Sequence, residues 1–185
     1  NGVPVRVDTE EQAIIGNGRV AGVQLLSGEQ LAADVVAVGI GIEPDTALAE
    51  AAGLQVDNGI VVNEFGETSQ TNIYAAGDVT NHYNPLYEQH LRLESWQNAQ
   101  NQGIAVGRVM VGQREPYAEV PWLWSDQYDM NLQMAGLTDT FDASVTRGNK
   151  ESRKFSTFYL SGGKIRGVVA INAARDMMVA RRLIT

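Results

Sequence analysis

A short apolar stretch that stops at a Gly-Asp pair constrains this chain more than any other feature. Ile73-Tyr74-Ala75-Ala76 follows the polar run Thr68-Ser69-Gln70-Thr71-Asn72 and ends in Gly77-Asp78. The pattern predicts a turn, a buried strand over 73–76, and a Gly-Asp end at that strand's carboxyl edge. Open α/β sheets take ligands just beyond the carboxyl ends of their strands. A glycine there lets a ligand approach the backbone, and a carboxylate accepts hydrogen bonds from ligand hydroxyls. Gly77 and Asp78 are therefore candidate binding residues.

The flanking sequence supplies the rest of an α/β pattern. Residues 5–31 read as a β-meander. Asn17-Gly18 is a strong hairpin signal, because a two-residue type I′ turn needs positive φ at both positions. Ser27-Gly28 marks the next turn. Residues 35–40 (VVAVGI) are almost wholly apolar, which suits a strand buried on both faces of a parallel sheet. Residues 46–53 predict a short helix with Thr46 as N-cap and Gly53 just past its end. Residues 59–62 predict another strand. Residues 81–90 hold Pro85 and both histidines, His82 and His90, and read as a loop with exposed imidazoles.

From Ser95 the period becomes helical. Trp96, Ala99, Gly103, Val106 and Met110 form one stripe. Gly103 and Gly107 on or near it would permit close packing on a sheet, and Gly112 is a natural stop. Residues 113–121 are a link containing Pro116 and Pro121. Beyond it, Met130, Leu132 and Met134 alternate with Asn131 and Gln133, as in a half-buried strand. Residues 154–160 and 164–172 predict two more strands around Ser161-Gly162-Gly163. Residues 173–184 predict a closing helix carrying Arg175, Arg181 and Arg182. The expected fold class is α/β to about residue 112, then an antiparallel α+β unit.

Composition narrows the function classes. The chain has 185 residues, with 22 Asp and Glu against 14 Lys and Arg, a net charge of −8. That balance argues against nucleic-acid binding, which uses a basic face. There are no cysteines, which excludes disulfides and thiolate metal sites within the chain and is compatible with a reducing cytoplasm. No apolar run approaches the roughly 20 residues needed to span a membrane, and no basic-then-apolar leader is present.

With these pieces placed, the sequence resembles the FAD-dependent ferredoxin reductases of oxygenase systems, of the putidaredoxin reductase and biphenyl dioxygenase reductase type. These belong to the pyridine nucleotide-disulfide oxidoreductase superfamily. The resemblance covers almost the whole chain, and its motifs fall in the family's order. Ile40-Gly41-Ile42-Glu43-Pro44-Asp45 is similar to the G-x-x-P-N strand end that closes the NAD domain, with Asp45 in place of the common Asn. Thr68 to Asp78 is similar to the second FAD motif, whose aspartate holds the ribityl chain. Arg92-Leu93-Glu94-Ser95-Trp96-Gln97-Asn98-Ala99 is similar to the R-h-E-[ST]-x-x-N-A segment, where a helix starts at the pyrimidine edge of the flavin. A helix N-terminus offers free N–H groups and about half a positive charge, which suits the negative charge of reduced flavin. Backbone at Trp96 is the contact expected there. Val120-Pro121-Trp122-Leu123-Trp124-Ser125-Asp126-Gln127 is similar to the P-W-[FY]-W-S-D-Q signature of the family's C-terminal domain. That likeness puts Trp124 near the flavin side where ferredoxin docks.

The resemblance implies three segments: 1–45 as the end of an NAD-binding domain, 46–115 as the second part of an FAD-binding domain, and 116–185 as the C-terminal α+β domain. The implied cofactor-binding residues are Gly41, Pro44, Gly77, Asp78, Ser95, Trp96 and Trp124. FAD is the implied cofactor, NAD(P)H the electron donor and a two-iron ferredoxin the partner. Both Gly-rich phosphate loops of the family are absent from these residues; in the family they lie upstream. We therefore expect a chain that starts inside a larger protein, with the N-terminal part of that protein as its first partner. A homodimer stays open. The C-terminal unit also lacks the histidine base of disulfide reductases. Two other readings stand at this level: a non-catalytic interaction module related to apoptosis-inducing factor, and another flavin enzyme of the superfamily such as an NADH oxidase or nitrite reductase flavin subunit.

Overall fold

The computed structural model describes residues 2–184, and the chain divides into two compact units, the first ending at Glu43 and the second starting at Pro44. The first unit holds the expected antiparallel meander, but it begins at Glu11 rather than at residue 5: β1 (Glu11–Gly16), β2 (Val20–Leu25) and β3 (Gln30–Ala32), in that order. The turn after β1 differs from the expected two-residue type. Gly16 pairs with Val20, so three residues close the hairpin, and of Asn17-Gly18 only Gly18 takes positive φ, at 70°. A longer loop needs a single left-handed position rather than two.

Residues 35–40 form no strand. Val35, Val38 and Ile40 are 83%, 62% and 81% exposed. An apolar run becomes a strand only beside a backbone ladder, and none is offered to it among the described residues.

The second unit begins with α1 (Ala47–Ala51). Thr46 stands at its N-cap but makes no capping bond; its hydroxyl donates to Glu50 at 2.9 Å, and Asp45 accepts instead from the Ala47 amide at 3.3 Å. A three-stranded sheet follows, from β4 (Ile60–Val62), β5 (Thr80–Asn84) and β6 (Gln89–Leu91), with β4 and β5 parallel and β5 and β6 antiparallel. Parallel neighbours need a crossover of a dozen or more residues. Residues 63–79 are that crossover, and they contain the expected strand 73–76. It does not form: Tyr74 makes one isolated bridge to Glu67, and Ile73 is 41% exposed. The expected loop over 81–90 is instead the β5–β6 hairpin, whose sheet residues Thr80, His82 and Asn84 alternate inward and are buried.

α2 (Trp96–Met110) starts where the sequence places it. Its buried face is Asn98, Gln102, Val106 and Val109, of which only Val106 lies on the expected stripe; Trp96 and Met110 are 66% and 62% exposed. The two amides explain the error. They are buried because they are hydrogen-bonded, and a hydrophobicity pattern scores them as solvent-facing. A Cβ at Gly103 or Gly107 would meet nothing within 4 Å, so no sheet packs against them among the described residues.

A five-stranded antiparallel sheet completes the unit. Its strands are β7 (Trp122–Gln127), β8 (Met130–Gly136), β9 (Ala143–Asn149), β10 (Lys154–Ser161) and β11 (Lys164–Ile171), in the order β7-β8-β11-β10-β9. α3 (Ala174–Ala180) covers one face, a shorter helix than expected. Val168 pairs with Ala135, and these with Ala170, Met177 and Ala180 form a core with exposures of 1% or less. The small side chains let Met177 sit close to the sheet. Ser156 is also fully buried, and its hydroxyl reaches Asp176 of α3 at 3.2 Å.

Candidate functional site

The Gly77-Asp78 turn is built against α2 rather than at the end of a strand. Gly77 has φ 87°, a conformation that L side chains rarely adopt, and its ideal Cβ position is 3.7 Å from Ala99 in the first turn of the helix. Its N–H donates to Gln102 Oε1 at 2.7 Å. Its carbonyl accepts from the Thr80 hydroxyl at 2.8 Å and the Thr80 amide at 3.0 Å. The Thr80 hydroxyl also lies 3.1 Å from Gln102 Oε1. Asp78 Oδ1 is buried and has no hydrogen-bond partner.

The helix start next to it is well defined. Ser95 is the N-cap, with extended backbone, and its Oγ accepts from the Asn98 amide at 3.2 Å. The next amide, Ala99, is taken by the Ser95 carbonyl at 3.0 Å. The amides of Trp96 and Gln97 have no acceptor among the described residues. Unpaired N–H groups at a helix start attract negative charge. Asn98 braces this turn from inside: its Oδ1 accepts from the Tyr117 hydroxyl at 3.0 Å. Burial pushes the Tyr117 phenol up from its ordinary value, which keeps it a donor.

Three tryptophans meet at this end of the second unit. Trp96 touches Trp124 edge-on with centroids 6.3 Å apart, and Trp124 stacks on Trp122 at 4.8 Å. The Arg181 guanidinium lies 4.7 Å over Trp122. Trp122 joins the core, whereas Trp124 is 42% exposed and Trp96 is 66% exposed. Beside them a cleft of about 540 Å³ is lined by residues that include Asn101, Gln133, Met177 and Arg182. It does not include Gly77 or Asp78.

Of the expected residues, the structure therefore brings Gly77 against the first turn of α2, with Asp78 the next residue, and Trp96 to Trp124. Gly41 lies in the first unit at φ 95°, and Pro44 opens the second. Two residues were not anticipated. Gln102 and Thr80 hold the turn, and neither carries a motif; the only signal was a polar residue on the inner side of a helix or strand. His82 is a correction. It is 1% exposed rather than an exposed loop residue, it faces Tyr117 at 5.5 Å, and neither ring nitrogen has a hydrogen-bond partner. Burial pushes its pKa down to about 4. No cluster of metal-binding side chains occurs among the described residues, and no helix among them is long and apolar enough to cross a membrane.

Residues 1–103 match the pyridine nucleotide-disulphide oxidoreductase family, and residues 122–185 match the reductase C-terminal family. The chain belongs to the pyridine nucleotide-disulphide oxidoreductases, and its fold is the C-terminal part of such a protein with a small antiparallel C-terminal domain. It is 51% identical to the anthranilate 1,2-dioxygenase system ferredoxin–NAD(+) reductase component of Burkholderia cepacia, over 82% of this chain and 38% of the relative. It is 43% identical to rhodocoxin reductase of Rhodococcus erythropolis, over 100% of this chain and 43% of the relative. The solved covalent putidaredoxin reductase–putidaredoxin complex matches with a TM-score of 0.94 and 37% identity, over 100% of this chain and 45% of that chain. The chain thus spans less than half the length of these relatives.

Proposed function

We propose that this chain is the FAD- and partner-facing portion of a ferredoxin reductase, which passes electrons from NAD(P)H through FAD to a two-iron ferredoxin of an oxygenase system in the cytoplasm. One observation carries the reading: the Gly77-Asp78 turn, with a carboxylate oxygen that has no partner among the described residues, is held against a helix whose first two amides are free among those residues. Those groups fit a flavin. Asp78 would accept hydrogen bonds from ribityl hydroxyls, and the Trp96 and Gln97 amides would face the pyrimidine edge. FAD, when bound, supplies the change from paired-electron to single-electron transfer. The chain's own groups orient it and stabilise negative charge. Ser95 shapes the helix start as its cap, and Gly41 and Pro44 would shape the passage from the NAD domain to the FAD domain. The name of the Burkholderia cepacia relative supports a ferredoxin as the acceptor.

The partner side would be the tryptophan cluster. Indole offers a large, rigid surface that can pack a cofactor and still face a partner. Trp124→Ala should leave single-turnover flavin reduction by NADH nearly unchanged and lower ferredoxin-dependent turnover several-fold. The edge contact to Trp96 predicts that the two alanine substitutions are not additive. Stopped-flow reduction and steady-state assays with ferredoxin check this. Slow hydride transfer with normal ferredoxin reduction would move Trp124 to the nicotinamide side.

The 185-residue chain by itself should bind FAD weakly or not at all, because the glycine-rich loops that hold a dinucleotide pyrophosphate are not in it. Equilibrium dialysis is the measurement, and a sub-micromolar affinity would contradict the expectation. The reductase reading as a whole is tested on the FAD-loaded protein carrying this chain. NADH oxidation that proceeds to oxygen but not to any two-iron ferredoxin would refute it.

A further inference from the structure

We propose that Gln102 is the residue that positions Asp78 for the flavin; this rests on the flavin reading above. Gln102 sits within α2 on the face that also buries Val106 and Val109, and it is 1% exposed. A buried amide is costly unless its polar atoms are bonded. Its Oε1 accepts from the Gly77 amide at 2.7 Å and lies 3.1 Å from the Thr80 hydroxyl, whose other contact is the Gly77 carbonyl at 2.8 Å. A backbone N–H can only donate, so the oxygen of Gln102 must be the atom facing Gly77. The result is a closed ring through both polar groups of Gly77, and Asp78 is the next residue.

Asp78 has no hydrogen-bond partner on its buried Oδ1, so its direction is set through the backbone that carries it. That backbone is fixed by a side chain of the same helix whose first amides are free. Gln102 lies six positions after Trp96, about 9 Å along the axis. The helix start and the aspartate are thereby held as one body, and a flavin contacting both would meet a preset distance. An apolar residue at 102 would fill the same space but leave the Gly77 N–H without its acceptor.

The experiment uses the FAD-loaded protein. Gln102→Met keeps volume and removes the acceptor; Gln102→Glu keeps the acceptor. Each is made alone and with Asp78→Ala, and FAD dissociation, the flavin visible spectrum and the urea midpoint are measured. Gln102→Met should loosen FAD about three- to tenfold, the size of one neutral hydrogen bond. Gln102→Glu should restore most of that. In the Asp78→Ala background Gln102→Met should add little, because the group it positions is gone. An equal loosening in both backgrounds would assign Gln102 a general packing role and overturn the proposal. So would unchanged FAD binding in Gln102→Met where Asp78→Ala weakens it. If Asp78→Ala itself has no effect, the flavin reading fails first and takes this proposal with it. Should Gln102→Met not fold, Thr80→Val breaks the same ring with little change of shape. The same dependence on Asp78 is then expected, and its absence rejects the proposal.

Discussion

Asp78→Ala should cut FAD affinity by about one to two decades in a protein that carries this chain together with its nucleotide loops. In the proposed flavin site the carboxylate would be the charged acceptor, and a hydrogen bond to a charged group contributes about 1.5–3 kcal/mol. Its Oδ1 is held out of water without a protein donor, so a ligand hydroxyl would complete it rather than compete with an existing bond. Asp78→Asn should fall between, since it keeps an acceptor and loses the charge. The measurements are FAD content after gel filtration and flavin fluorescence on dilution. Equal retention in wild type and Asp78→Ala would remove Asp78 from the site, and the helix start would then have to anchor the flavin without it.

A second large effect is expected from acid. His82 is 1% exposed, and burial pushes its pKa from 6.5 to about 4. The unfolded chain binds a proton at pH values where the folded chain does not. Stability from this group is therefore complete above pH 6.5, falls as the pH drops from 6.5 towards 4, and changes no further below. The full loss is about 3 kcal/mol, and at pH 5 it is about 2 kcal/mol. Glu67 is the other strongly shifted acid, held down to about 2 chiefly by its hydrogen bond from Arg114. Its window runs from 4.5 downward, so pH 5 to 7.5 isolates His82. Tryptophan fluorescence suits the measurement, because Trp96, Trp122 and Trp124 all lie in the second unit. His82→Phe keeps an aromatic beside Tyr117 and cannot titrate. Its urea midpoint should depend much less on pH across this interval, whatever its absolute stability. A wild-type midpoint that is flat from pH 7.5 to 5 would mean that His82 is protonated in the folded state.

Both predictions turn on groups whose surroundings the sequence described unequally. Asp78 stands out as a candidate because a motif is a local string: an apolar run, a glycine, a carboxylate. The same reading put a strand before it, and the chain has a crossover there with one isolated bridge. His82 was misplaced because a polar, proline-containing stretch resembles a loop. Thr80 to Asn84 is instead a strand with polar residues on its buried side. Alternation was present, but with Thr, His and Asn in the inward positions it carried no hydrophobic signal.

Sequence alone determined what short-range physics controls. The turns at Gly18 and Gly28, the start of α2 at Ser95 and the apolar-polar alternation of residues 130–134 follow from neighbours within a few positions. Tertiary structure alone decided what depends on partners far along the chain. It left 35–40 and 73–76 without ladders, turned the inner face of α2 to Asn98 and Gln102, and set Trp124 face-on to Trp122 and edge-on to Trp96. The reason is the same in each case. A capping bond or a turn is satisfied within its own segment, whereas a strand, a buried amide or an aromatic contact exists only when a distant group arrives to complete it.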